Sequence, residues 1–169
     1  MDKSLNQVRS FFDRCFLTID FTASERDALA GAVMSLPFKA KSVVLWEGAR
    51  EARMYFVVEG KVVVSKKIRG KIEEVITRFG PGDFFGEISL LDDKPRSATV
   101  QTEADSLLLV LEASKLLELE RNAPGTTSKF YKAVLTEMVK RLRQTNEKLL
   151  AAVVWGMEAT SLGEKEITE

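Results

Sequence analysis

The chain has 169 residues, of which 45% are hydrophobic and 30% are charged, and its 25 basic residues equal its 25 acidic residues in number. This composition is typical of one soluble globular domain and excludes disordered and fibrous classes of protein. A formal net charge of zero gives the chain as a whole no electrostatic attraction to nucleic acid or to an acidic membrane, although a local basic patch is possible.

The sequence lacks histidine, a second cysteine and any long apolar run, and these absences restrict the kinds of site and structure that the chain can form. Histidine does not occur, which excludes Ser-His-Asp, Cys-His and histidine-metal sites but leaves carboxylate chemistry open. Cys15 is the only cysteine, so no intrachain disulfide can form, and we expect it to be a small core residue. The sequence has neither a signal-peptide pattern nor an apolar run of about 20 residues, and this predicts a cytoplasmic protein.

Residues 1–36 are predicted to form N-terminal helices. Thr22 and Glu25 have the spacing of a capping box, which marks a helix start. Pro37 then predicts the end of that helix. Apolar residues recur at spacings of three and four, as on the buried face of a helix, and they are Val8, Phe11, Phe12 and Cys15 in the first helix and Leu29, Val33 and Leu36 in the second.

Residues 37–112 are predicted to form an antiparallel β-barrel or jelly roll, so that the fold class is α+β. Short segments rich in β-branched and aromatic residues, such as "MYFVV", "KVVVSKK" and "LLLVL", alternate here with turn signals. Gly60 and Gly70 are each predicted to sit in a tight hairpin, and "GPGD" at residues 80–83 predicts another sharp turn. Trp46 is expected to pack in the core.

Residues 113–157 are predicted to form C-terminal helices, and residues 158–169 a flexible tail. Ser114 is the expected N-cap of the first helix, and a long second helix is expected from about Ser128. A heptad seam in the second helix predicts a homodimer in which the two helices run parallel. The seam consists of Leu135, Met138, Leu142, Thr145, Leu149, Ala152 and Gly156, with Val139, Asn146 and Val153 beside it.

The segment "FGEISLLDDKPRSATV" at residues 85–100 holds the residues with the clearest chemical meaning. Gly86 allows a ligand to approach the backbone closely, and unpaired amides after it would bind an anion. Arg96 offers a planar, permanently charged fork to the same anion. An ionised Glu87 instead accepts hydrogen bonds, as from a sugar hydroxyl. Phosphate and hydroxyl side by side describe the sugar-phosphate of a nucleotide.

This segment resembles the phosphate-binding cassette of the cyclic nucleotide-binding domain family, which includes regulatory subunits of cyclic-AMP-dependent protein kinase and the bacterial catabolite activator protein. The cassette would span residues 84–100, within a resemblance that covers roughly residues 20–155. The resemblance implies that Glu87 accepts from the ribose 2′-hydroxyl and that Arg96 pairs with the exocyclic phosphate oxygens. It further implies ligand contacts by Gly86 and by the amides of Ile88, Ser89, Ser97 and Ala98.

The resemblance also suggests which residues meet the base. Thr145 and Asn146 fall where the catabolite activator protein has a hydroxyl pair that reaches the adenine amino group. Asn146 departs from that pattern, and its amide can donate or accept. A hydroxyl such as that of Ser97 often accompanies guanine binding in the family, but the bacterial activator has one with adenine. Cyclic AMP is the expected ligand and cyclic GMP the alternative, with no other cofactor.

These observations together predict a regulatory receptor, which signals to a separate effector protein when its C-terminal helix rearranges. The alternative is a structural domain of the same fold that has lost its ligand and in which Glu87 and Arg96 form a salt bridge. We expect no enzyme activity, no catalytic residues and no metal, because barrels of this kind usually hold metal through histidines. We also expect no binding to nucleic acid, since about fourteen residues after the long helix are too few for a helix-turn-helix module. We expect no binding to membrane, since the net charge is zero and no apolar run reaches about 20 residues.

Overall fold

The computed structural model of the chain describes residues 3–68, 72–92 and 94–165. Its elements divide into two compact units, with the boundary between Phe130 and Tyr131. The helices are α1 (Lys3–Arg14), a 3-10 turn (Phe16–Thr18), α2 (Ala23–Ala32), α3 (Glu87–Asp92), α4 (Ala113–Asn122) and α5 (Pro124–Lys165). The strands are β1 (Val33–Phe38), β2 (Val43–Leu45), β3 (Arg53–Glu59), β4 (Val62–Ile68), β5 (Ile72–Phe79), β6 (Phe84–Phe85), β7 (Thr99–Thr102) and β8 (Ser106–Glu112).

The strands form two antiparallel sheets of four strands each, in the orders β1-β8-β3-β6 and β2-β7-β4-β5. Both sheets contribute apolar side chains to one core, as in a jelly roll. This arrangement confirms the predicted α+β jelly roll, with two sheets in place of a closed barrel. The buried core residues are Leu45, Tyr55, Val57, Val62, Val64, Phe85, Val100, Leu108 and Val110.

A second apolar layer covers the other face of β3. Successive side chains of a strand point to opposite faces, so Phe56 points away from the core that holds Tyr55 and Val57. Its ring meets Phe12 of α1 edge-on, with the centroids 5.5 Å apart, and lies 6.5 Å from the ring of Phe130. Strand β3 is therefore packed on both faces, by the core between the sheets on one side and by the Phe56 layer on the other.

The capping box is confirmed, but the helix that it starts is shorter than predicted. The amide of Glu25 donates to the Thr22 hydroxyl at 3.2 Å, and the Thr22 amide donates to the Glu25 carboxylate at 2.7 Å. Helix α2 ends at Ala32, so the prediction of a helical face through Val33 and Leu36 is wrong. Both residues lie in β1, which pairs with β8. Pro37 is tolerated in β1 because this strand forms an edge of its sheet.

Two turn predictions have different outcomes. Gly60 has the expected positive φ of 90°, but it joins β3 to β4, which belong to different sheets, so the hairpin prediction is wrong there. The turn at residues 80–83 is confirmed by a hydrogen bond of 3.0 Å from the Asp83 amide to the Gly80 carbonyl. The predicted turn at Gly70 lies outside the described residues.

The C-terminal helices begin earlier than predicted. Helix α4 starts at Ala113, so Ser114 lies inside it and is not the N-cap. Helix α5 starts at Pro124, where a missing amide hydrogen costs nothing because the first turn has no partner for it. It ends at Lys165, so residues 158–165 of the predicted tail belong to α5, and residues 166–169 lie outside the described residues. No helix in the described ranges is long and apolar enough to cross a membrane.

Exposed apolar side chains occur in both units. In the first unit Trp46 is 62% exposed, which contradicts its expected place in the core. In the second unit, helix α5 exposes a row of aliphatic side chains that overlaps the predicted seam. These are Leu135, Val139, Leu142, Leu149 and Val153.

Candidate functional site

Gly86 connects β6 to α3, and the backbone of β3 comes close to it. Its φ is 80°, in the left-handed region that favours glycine. A Cβ atom at this position would lie 2.8 Å from the carbonyl oxygen of Arg53 and 2.9 Å from Nη1 of Arg96. Both distances are shorter than real Cβ contacts, so only glycine fits without a shift of its neighbours.

Arg96 lies buried beside Gly86, and only 3% of it is exposed. Its guanidinium donates from Nη1 to the Gly86 carbonyl and from Nη2 to the Arg53 carbonyl, each at 2.8 Å. Its backbone is fixed as well, because its amide donates to Ala49 and its carbonyl accepts from Gly48, both at 2.9 Å. The buried Nε, by contrast, has no hydrogen-bond partner among the described residues.

The electrostatics around Arg96 favour an anionic ligand. Burial lowers the pKa of the Arg96 guanidinium, while Tyr55 and Glu51 act in the opposite direction. An arginine nevertheless stays charged at any physiological pH. No ion pair of the described residues joins Arg96 to a carboxylate. A buried cation held by neutral carbonyls, whose Nε–H has no partner among the described residues, has the chemistry that an oxyanion requires.

Glu87 begins α3 and is also buried, with 7% of it exposed. It is close enough to Arg96 to favour the charged guanidinium electrostatically. The segment from β6 to β7 thus brings Gly86, Glu87 and Arg96 together in the first unit.

The other predicted cassette residues differ in exposure. Ser89 is buried, Ile88 and Ser97 are exposed, and Ala98 packs at the margin of the main core. The backbone amides of these four residues were assigned to an anion by resemblance, and that assignment stays a prediction.

Thr145 and Asn146, the residues predicted to contact the base, lie on α5 in the second unit. Both are exposed, and the Thr145 hydroxyl donates to the carbonyl of Arg141 at 2.9 Å. Their contact with a base stays a prediction.

Two residues of the site were missed by sequence reasoning. Arg53 supplies the carbonyl that holds Arg96, and Tyr55 supplies a buried phenol within electrostatic reach of both arginines. Burial raises the pKa of the Tyr55 hydroxyl, and its ring stacks on Phe85 with the centroids 5.1 Å apart. The signal available for Tyr55 was its polar hydroxyl on the inward face of the strand "RMYFVV", whereas the backbone carbonyl of Arg53 leaves no signal in the sequence.

Comparison with known proteins places this geometry in a family. The family model for the cyclic nucleotide-binding domain matches residues 35–122, slightly more than half of the chain. A cAMP-dependent protein kinase regulatory subunit from Dictyostelium discoideum is 32% identical over 127 residues, which are 72% of this chain and 36% of that protein. A CRP-like cAMP-activated global transcriptional regulator from Mycobacterium tuberculosis is 27% identical over 72% of this chain and 53% of that protein.

Solved structures agree with the sequence comparison. A cyclic nucleotide-binding domain from Methylobacillus flagellatus superposes with a TM-score of 0.78 at 25% identity, over 88% of this chain and 83% of that chain. The chain spans only about a third to a half of the curated relatives described above, which are regulatory proteins. The matched family model, the jelly roll and the cassette around Gly86 and Arg96 agree, and the chain belongs to the cyclic nucleotide-binding domain family.

Proposed function

We propose that this protein is a regulatory receptor for a cyclic nucleotide and that its ligand is cyclic AMP. The observation that carries the proposal is the buried Arg96, whose guanidinium is oriented by two carbonyls while its Nε–H has no partner in the described part of the chain. The names of the Dictyostelium and Mycobacterium relatives, both of which include cAMP, support this choice of ligand.

Different groups of the protein contact the phosphate, the ribose and the base in this proposal. Arg96 donates to the exocyclic oxygens of the cyclic phosphate, and the amides of Ile88, Ser89, Ser97 and Ala98 complete the contacts with the anion. Glu87 accepts from the ribose 2′-hydroxyl, because an ionised carboxylate repels phosphate but pairs well with a hydroxyl donor. Thr145 and Asn146 contact the base.

The output of binding is a rearrangement of the C-terminal helix that a separate effector protein recognises. A ligand can shift such an equilibrium only by the difference in its affinity for the two forms. Homodimerisation through the exposed aliphatic row of α5 belongs to the same proposal. Retention of an effector from lysate should therefore depend on the nucleotide present.

Titration calorimetry with cyclic AMP, cyclic GMP and 5′-AMP tests the proposed ligand. Cyclic AMP should bind most tightly. The compound 5′-AMP should bind weakly, because its phosphate monoester carries a charge of about −1.5 to −2 and does not form the cyclic phosphodiester ring. Tighter binding of cyclic GMP would reassign the ligand. Equal affinity for cyclic AMP and 5′-AMP would contradict a site for cyclic phosphates, and no binding of any nucleotide would favour the ligand-free structural domain.

Substitution of Arg96 tests the site itself. Arg96→Ala should weaken cyclic AMP binding by about 2–3 kcal/mol, because a charge-assisted contact with the phosphate is lost. Arg96→Lys keeps the charge but cannot reproduce the planar fork, so it should also bind weakly. Arg78→Ala, on β5, removes an exposed arginine and is the matched control. Unchanged affinity in both Arg96 variants, with folding verified by circular dichroism, would mean that the phosphate binds elsewhere.

A further inference from the structure

Arg53 touches the proposed anion site through its backbone. Its carbonyl oxygen accepts from Nη2 of Arg96 at 2.8 Å. The same oxygen is the nearest atom to a Cβ built at Gly86, also at 2.8 Å. The position of the Arg53 backbone therefore determines where the Arg96 guanidinium lies and how much room remains at Gly86.

The side chain of Arg53 is held by a different element of the fold. Nη2 of Arg53 lies 3.0 Å from Oε1 of Glu112, and these two residues are also paired across β3 and β8. Glu112 is the last residue of β8 and the N-cap residue of α4, yet its side chain makes no capping hydrogen bond. A second link joins the same places, since the amide of Ala113 donates to the Ala52 carbonyl at 3.0 Å.

We propose that Arg53 and Glu112 are positioning residues for nucleotide binding. Their ion pair anchors the start of β3 to the junction of β8 and α4, and so fixes the carbonyl that orients Arg96. The proposal rests on the proposed function of Arg96 as the phosphate ligand. The two side chains of this ion pair are 44% and 31% exposed, and exposed pairs contribute little to stability by themselves. The role proposed for this pair is in affinity for the nucleotide.

A simple effect of charge makes the opposite prediction for one of the two residues. Arg53 is close enough to Arg96 for the two cations to repel each other. If only charge mattered, Arg53→Met would weaken binding of an anion and Glu112→Gln would strengthen it. Positioning predicts that both variants weaken binding, because each one releases the same anchor.

The affinity test compares these variants by titration calorimetry with cyclic AMP. Arg53→Met and Glu112→Gln should each raise Kd roughly tenfold, and together they should cost little more than either alone. The double variant Arg53→Glu/Glu112→Arg should recover most of the affinity. Arg78→Met and Glu103→Gln are matched controls, since this pair joins at 2.8 Å with side chains 50% and 30% exposed, and they should leave Kd unchanged.

A second readout does not depend on nucleotide binding. The NMR signal of the buried Arg96 Nε–H, assigned by its loss in Arg96→Lys, should shift and exchange faster with solvent in both single variants. Unchanged Nε–H signals would overturn the positioning role even in a protein that bound no nucleotide. Affinity changes of opposite sign in Arg53→Met and Glu112→Gln, or changes no larger than those of the controls, would overturn it as well. Failure of wild-type protein to bind cyclic AMP, with the signal changes present, would reject the proposed function alone.

Discussion

At the scale of single residues, Gly86 meets a conformational and a steric requirement at once. Gly86→Ala would place a side chain at a φ of 80° and a Cβ atom 2.8 Å from the Arg53 carbonyl. The strained backbone should lower the free energy of unfolding by about 1–3 kcal/mol. The Cβ should also displace Arg96 and weaken binding of cyclic AMP. Chemical denaturation and titration calorimetry measure the two effects separately.

Gly82→Ala is the control that separates conformation from close approach. Gly82 also has a positive φ, of 93°, but a Cβ there would have nothing within 4 Å. This variant should lose stability to a similar degree and keep its affinity. Equal losses of affinity in the two variants would show that the contact between Gly86 and Arg96 does not matter for binding.

Cys15 offers a test of core packing that is independent of the site. Burial raises the pKa of its thiol from 9.0 to about 11, so the reactive thiolate is scarce in the folded protein at pH 8. A maleimide reagent at pH 8 should therefore label Cys15 slowly in buffer and rapidly in denaturant, as followed by mass spectrometry. Rapid labelling of the folded protein would contradict the burial of Cys15 at the junction between α1 and the 3-10 turn.

The same thiol makes stability depend on pH in an alkaline window. Because the pKa is raised in the folded state, the folded protein holds its proton more tightly than the unfolded chain does. The contribution to stability is complete below about pH 9 and is lost as the pH rises toward 11. Cys15→Ala lacks this group, so the difference in unfolding free energy between the two proteins should shrink through that window. A constant difference would contradict the raised pKa.

At the scale of secondary structure, the capping box of α2 is a local device that can be tested alone. Thr22→Ala removes the oxygen that accepts from the Glu25 amide, and should lower the free energy of unfolding by about 1 kcal/mol. Thr22→Ser keeps that acceptor and is the control. Equal stability of the Thr22→Ala variant and the wild type in urea denaturation would mean that water satisfies the amide equally well.

The same element shows what sequence could and could not predict. The capping box depends on residues three positions apart, so its chemistry can be recognised without knowing the fold. Strand β1 follows it directly but depends on pairing with β8, as in the Val33–Leu111 pair, and its helical spacing predicted the wrong structure. Local preference was overridden here by contacts between residues distant in sequence.

The same distinction between local and distant residues applies to the candidate site. Gly86, Glu87 and Arg96 could be predicted from the sequence, because a glycine, a carboxylate and a guanidinium each have a specific chemical meaning in this segment. The contribution of Arg53 could not, because it is made by a backbone carbonyl, which every residue possesses. Its partner Glu112 is distant in sequence and is brought close only by the β3–β8 pairing.

At the scale of the whole molecule, the exposed aliphatic row on α5 indicates how two chains would associate. Leu135, Val139, Leu142, Leu149 and Val153 are all at least half exposed. These residues follow one another at alternating steps of four and three, except between Leu142 and Leu149. Asn146 occupies the missing position, so it belongs to the row itself. A buried asparagine at such a position in a coiled coil fixes register at a cost in stability. This gives Asn146 a role that competes with its predicted contact with the base.

A parallel dimer through residues 135–153 is therefore the expected state in solution. Multi-angle light scattering should give twice the mass of the 18.9 kDa chain, and Leu142→Glu should give monomer because it places a charge in the row. Leu117→Glu changes a leucine on α4 that is 52% exposed, against 60% for Leu142, and should leave the dimer intact. A wild-type protein that stays monomeric at high concentration would refute the dimer. Dissociation by both substitutions alike would contradict an interface confined to the row, because Leu117 lies outside it.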